Sequence, residues 1–132
     1  MYLLDTDTCI HLARGNPNLL KKLRQKHRTH IRVAILTVYE LELGVQKATL
    51  HKPEKRKALD YLLELFAIAP LDQTAACEAA KIRAELEKAG TPIGSIDYLI
   101  AGIARANAWT LVTGNLNEFR RVKHLKAETW HA

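Results

Sequence analysis

The chain has little of what redox, nucleotide-cofactor and membrane chemistry require. Its 132 residues include two cysteines, Cys9 and Cys77, one methionine and two tryptophans, and aromatics make up only 6%. With no CxxC pair and no Cys/His ligand spacing, a disulfide framework and a zinc knuckle are excluded, and both cysteines are expected to be buried thiols in a reducing cytosol. The six glycines stand singly at 15, 44, 90, 94, 102 and 114. No Walker A loop and no G-x-G-x-x-G can be built from them. No apolar run approaches the ~18 residues needed to cross a bilayer. The opening MYLLDTD also carries acids where a signal peptide carries basic residues. A cytoplasmic protein with no membrane partner is expected. The histidines at 11, 27, 30, 51, 124 and 131 show no HExxH or H-x-E spacing, so surface or phosphate contact is their expected role.

What the chain does have is positive charge. Twenty Lys and Arg against 14 Asp and Glu give 20 − 14 = +6, with a pI near 9.5. The basic residues crowd three stretches, 21–32, 47–57 and 120–126. Solvated faces of this kind suit a polyanion such as nucleic acid, although they do not by themselves distinguish a partner from a soluble surface.

Hydropathy patterning gives an alternation of strands and helices in one domain over residues 1–132, with no repeat, low-complexity segment or linker. Tyr2, Leu3 and Leu4 form a short buried strand ending at Asp5, and Asn16-Pro17 offers an N-cap and first residue for a helix. Residues 31–38 read as a second strand, followed by helical spacing of Val38, Leu41, Val45 and Ala48. Pro53 opens a helix carrying Leu59, Leu62, Leu63 and Phe66, and FAIAPL at 66–71 is a third strand. Asp72 caps a helix that stops at Gly90, Ser95 caps another whose YLIAGIA stretch (98–104) is too apolar for water, and 109–113 is a last strand. Such an order predicts an α/β fold with a mostly parallel sheet.

In parallel sheets, sites form where the carboxyl ends of the strands open on a crevice. The acids stand there. Asp5 closes the first strand, Glu40 follows the second, Asp97 opens the apolar helix, and Asn115, Asn117 and Glu118 follow the last strand. Carboxylates drawn together repel unless a cation lies among them, and a hard divalent ion, Mg²⁺ or Mn²⁺, is the ordinary solution. Each acid also has a purely structural explanation. Asp97 could favour a helix dipole, Thr37-x-x-Glu40 could be a capping box, and Asp7 could reach the site or cap the next helix, with capping the expectation. Asp5 is hardest to explain away, because a carboxylate directly after a buried strand needs a partner to offset its desolvation. Glu42 falls on a different side of its helix from Glu40.

These segments resemble a known family. LLDTDTCI (3–10), TVYELELG (37–44), PIGSIDYLIAGIARA (92–106) and LVTGNLNEFRRV (111–122) look like the four signature blocks of PIN-domain ribonucleases, and more narrowly of the VapC toxins of bacterial toxin–antitoxin pairs. The closing LKAETW (125–130) resembles the tail of the enteric type. The resemblance implies a three-layer α/β/α fold, a Mg²⁺-dependent acidic site and cleavage of single-stranded RNA. It further implies a VapB-like antitoxin, a homodimer within the toxin–antitoxin complex and, from the enteric type, the anticodon loop of initiator tRNA as substrate. Position by position, Asp5 and Asp97 match the metal-binding aspartates, Glu40 the motif glutamate and Thr113 the threonine after the last core strand. Where many PIN domains have a further aspartate after that threonine, this chain has Asn115, with Glu118 three residues on. The last ligand position is therefore open between these two.

Metal and carboxylates together imply a hydrolysis with no side-chain nucleophile, in which the ion neutralises a phosphate oxygen and activates water. Two other classes share features. A phospho-accepting receiver domain should show paired acids in an early strand and a lysine after the last one, but Thr113-Gly114-Asn115 has no lysine until Lys123. A catalytically silent RNA-binding or regulatory module with the same fold is the alternative that Asn115 permits.

Overall fold

A computed structural model describes residues 1–131. The chain opens with β1 (Tyr2–Leu4), α1 (Thr6–Ala13) and α2 (Pro17–Arg24), then a 3-10 turn at Arg28–His30 and β2 (Ile31–Ala34). Next come α3 (Ile35–Lys47), α4 (Lys52–Leu65), β3 (Ala67–Ala69), α5 (Gln73–Lys88) and α6 (Ser95–Asn107). It closes with β4 (Thr110–Val112), α7 (Leu116–Phe119) and β5 (Lys126–Glu128). The strands form one sheet in the order β3-β2-β1-β4-β5, and all four pairings are parallel.

Successive strand residues point to opposite faces, and the two faces carry separate cores. Leu3, Ala34 and Leu111 pack with α5, α6 and Phe119 of α7. Leu4, Val33 and Val112 pack with Cys9, Leu19, Leu62 and Trp130 on the other face. This is the expected α/β/α layering. The closest helix packing is between α5 and α6, where a Cβ on Gly102 would lie 2.6 Å from the Ala75 carbonyl oxygen.

The chain runs β1, β2, β3 in one direction and then returns to lay β4 on the other side of β1. That reversal opens a crevice at the carboxyl ends of β1 and β4. Asp5 and Thr113 stand there, immediately after the two strands.

Several local expectations give way to tertiary context. Asp5 itself, not Asp7, caps α1, its Oδ1 accepting from the Thr8 N–H at 2.8 Å. The chain thus enters a helix directly after β1, and Gly15, at φ 78°, separates that helix from α2. The second strand ends at Ala34 rather than 38, and α3 starts at Ile35 without a side-chain cap. Thr37 and Glu40 therefore lie inside the helix and form no capping box. Ser95 is likewise the first helical residue and caps nothing, because Gly94 takes the N-cap position. The β5 edge, with the polar sequence KAE, had no apolar signature to announce it. Cys77 is exposed, unlike buried Cys9, because α5 turns it away from α6. Trp130 is buried edge-on to Tyr2, with its Nε1 donating to Glu128. Among the described residues, no helix is long and apolar enough to cross a membrane.

Candidate active site

Asp5 is 4% exposed. Burial raises its carboxyl above the ordinary aspartate range, and hydrogen bonds from the Thr113 hydroxyl and the Thr8 N–H partly offset that. Thr113 is fully buried, and its hydroxyl oxygen accepts from the Asn115 N–H at 2.9 Å. With that lone pair engaged, its one proton is aimed at Asp5. The threonine therefore links the end of β4 to the carboxylate at the end of β1.

Glu40 reaches the same crevice from α3. Thr6 Oγ1 donates to its Oε1 at 2.5 Å and lies 3.0 Å from Thr37 Oγ1. A carboxylate only accepts, so Thr6 spends its proton on Glu40 and accepts from Thr37. Neither threonine stood out in the sequence as a site residue, since their role depends on α1 meeting α3. Glu42 points elsewhere, as its position on the helix predicted, and forms a two-pronged pair with Arg56 of α4 at 3.0 and 2.5 Å.

Asp97 sits half-buried in the first turn of α6. Its carboxyl is pushed up to about 6, first by burial and then by the negative charges of Asp5, Glu118, Glu40 and Asp7. Four acids from three other segments thus act on one carboxylate. A side chain at position 94 would crowd it further, because a Cβ on Gly94 would lie 2.9 Å from Asp97 Oδ2. Of the two candidates after β4, Glu118 puts its charge on Asp97 from α7, while Asn115 is exposed and engages Thr113 through its backbone.

These donors are all hard oxygens, and the neighbouring acids raise the proton affinity of Asp97. That is the donor chemistry of a divalent-cation site. Among the described residues, however, the trio whose ligand atoms all lie within 4.8 Å of one another is Asp7, His11 and His131, beside this pocket rather than within it. Spacing in the sequence marks neither histidine as a metal ligand.

A parallel α/β/α domain with carboxylates gathered at the switch point of its sheet defines a class of α/β protein with a candidate divalent-cation site at its strand ends. The PIN domain model matches residues 2–125 of the chain. The tRNA(fMet)-specific endonuclease VapC of Salmonella typhimurium is 32% identical over 98% of this chain and 97% of that protein. Ribonuclease VapC2 of Rickettsia felis is 33% identical over 98% of each. Among solved structures, VapBC2 from Rickettsia felis bound to a DNA fragment from its promoter superposes with a TM-score of 0.90 at 31% identity, covering 98% of both chains. DNA-bound VapBC from Salmonella typhimurium gives 0.89 at 30%, over 98% of this chain and 97% of that one. The chain belongs to the PIN-domain family and, within it, to the VapC ribonucleases.

Proposed function

We propose that this chain is the toxin of a toxin–antitoxin pair, a metal-dependent endoribonuclease that cuts tRNA, with the anticodon loop of initiator tRNA as its target. The single observation that carries the reading is the set of acids from three other segments acting on Asp97, in a chain of the VapC family. The tRNA target rests on the enteric relatives, which are named for it. A splayed single-stranded loop is also where RNA is open to attack.

Asp5 and Asp97 would hold the ion, which is Mg²⁺, with Mn²⁺ able to replace it. When bound, such an ion supplies charge neutralisation at the scissile phosphate and a more acidic water. The Thr113 hydroxyl fixes the rotamer of Asp5 and favours its ionised form against the effect of burial. Thr6 and Thr37 hold the Glu40 carboxylate toward the crevice, where it can take a proton from the attacking water. Glu118 adds negative charge at the last position, and Asn115 orders the turn that presents it. The net charge of +6 favours association with the RNA phosphate backbone.

A VapB-like antitoxin fits the groove that leads up to Glu40. This groove encloses about 500 Å³ between α1, α3 and α4 and is lined by Ile10, Leu41, Leu59 and Leu62, with Thr6 and Glu40 at one end. An apolar segment with one basic residue placed at Glu40 would oppose metal binding through charge pairing. A homodimer is part of the same reading, but not through the apolar 98–104 stretch. Tyr98, Ile100, Ala101, Gly102, Ile103 and Ala104 are all buried against α5 and the sheet. The exposed apolar stripe is instead Ile35, Tyr39 and Leu43 along α3. We read residues 1–132 as one domain acting in the cytoplasm. The silent-module alternative is not favoured, since the relatives are named as nucleases.

Purified chain incubated with tRNA should cut it at a single site, lose the activity in EDTA and regain it with Mg²⁺ or Mn²⁺. Asp5→Asn and Asp97→Asn should abolish cutting while far-UV circular dichroism stays unchanged. Sequencing of RNA ends after brief induction in cells identifies the target. Full cleavage by Asp5→Asn protein, or cleavage indifferent to EDTA, refutes the mechanism.

A further inference from the structure

Two histidines that are remote in sequence meet one aspartate on the outer side of α1. Asp7 and His11 stand one turn apart on that helix, and His131 comes from the segment after β5. Together they bring three ligand atoms within 4.8 Å of one another. The His11 Nε2 to Asp7 Oδ1 separation is 3.5 Å. A tetrahedron with metal–ligand bonds of about 2.0–2.1 Å has an edge of roughly 3.4 Å. The two imidazoles meet edge to face, with centroids 4.8 Å apart.

Independent support comes from the hydrogen bonding behind His131. The buried Thr8 hydroxyl donates its one proton to the Val112 carbonyl at 3.0 Å. Its oxygen therefore accepts from His131 Nε2–H, also at 3.0 Å. This fixes the tautomer and leaves Nδ1 unprotonated. A metal-ligating histidine is characteristically oriented in this way, by an N–H bond from its other nitrogen. The free Nδ1 borders a space kept clear by Gly114. A Cβ there would lie 2.9 Å from His131 Nδ1 and 2.6 Å from Asp7 Oδ2.

We propose that Asp7, His11 and His131 are ligands of a second metal site, for a borderline divalent ion of the Zn²⁺ class, with a fourth position open to water. Two imidazoles and one carboxylate select such an ion over Mg²⁺, whereas the neighbouring all-oxygen pocket has the opposite preference. An ion held here clamps the segment after β5 onto α1 and onto the Thr113–Gly114 turn. The site is thus a fastening for the chain end that closes one side of the active-site crevice.

The test uses the full chain, freed of metal by chelation and titrated with ZnCl₂ in excess Mg²⁺, so that all-oxygen sites are already occupied. Calorimetry should show one Zn²⁺ per chain, and thermal unfolding a raised Tm. Co²⁺ in its place should give the visible absorption of tetrahedral coordination. His11→Gln and His131→Gln should each weaken Zn²⁺ binding by at least about tenfold, a loss typical even of partners that only orient a ligand. Asp97→Asn should leave binding unchanged. Each shift is read against the variant's own metal-free Tm, so a lowered baseline does not obscure it. Zn²⁺ binding that persists undiminished in both histidine variants, or that disappears in Asp97→Asn, overturns the assignment. RNA cleavage plays no part in the readout, so the outcome is independent of the proposed nuclease activity.

Discussion

Replacing Asp97 with asparagine should make the metal-free protein more stable at neutral pH while removing its activity. In the folded chain the Asp97 carboxyl is moved from 3.8 to about 6 by burial and by four neighbouring acids. A shift of that size costs the folded state on the order of 3 kcal/mol once the group is ionised. Because Asp97 is only half-buried, screening by water and salt reduces this to about 1–2 kcal/mol. The sign follows from linkage. Below about pH 3.8 the group is protonated in both states and costs nothing; the penalty grows as the pH rises and is complete above about 6. Asparagine keeps the volume and carries no charge. Chemical denaturation in EDTA and low salt should therefore show Asp97→Asn more stable than the parent by about 1–2 kcal/mol near pH 7.5, or about 3–8 °C in Tm, and nearly equal to it near pH 4. Saturating Mg²⁺ should close the gap by stabilising the parent more. An equal gain at both pH values would mean that the substitution acts through packing. No gain at neutral pH would refute the claim that these acids repel one another in the folded state.

Gly102→Ala should destabilise the chain by about 1–3 kcal/mol in urea denaturation, because its Cβ would meet the Ala75 carbonyl oxygen and the Ala79 Cβ, each at 2.6 Å, and α5 and α6 would have to part. Glu118→Gln should raise several-fold the Mg²⁺ concentration needed for cleavage, while Asn115→Asp lowers it without a new activity, as Mg²⁺ titrations of cleavage rate would show. An effect of Asn115→Ala alone would make Asn115 the residue at the ion. Arg105→Met should lower the Tm at neutral pH, since Arg105 bridges Glu78 of α5 at 2.7 Å and the Lys123 carbonyl at 3.1 Å. Arg105 holds the Glu78 carboxyl below the usual range, so the loss should shrink as the pH falls through that range, visible as converging Tm curves.

The sequence by itself determined the class of fold and the positions of the charges. Short apolar runs separated by amphipathic helices allow little but a parallel sheet covered on both faces, and Asp5 after β1 announced a site because a carboxylate in that place needs a physical reason. The caps at Asn16 and Asp72 were equally legible, since a helix N-terminus is a local affair of one side chain and the N–H groups that follow it. Tertiary structure decided whatever depends on two segments meeting. Thr37 and Glu40 have capping-box spacing, yet the contact with Thr6 draws them into the pocket, because the packing of α1 on α3 outweighs a local preference. The 98–104 stretch is apolar enough for an interface or for a core, and only the bare surface of Gly102 against α5 selects the core. The polar β5 edge formed beside β4, where backbone pairing needs no apolar residue. His11 and His131 lie at opposite ends of the chain, and no spacing rule reaches across such a distance. They meet because the sheet order carries the last strand past β4 and returns the chain end to the first helix.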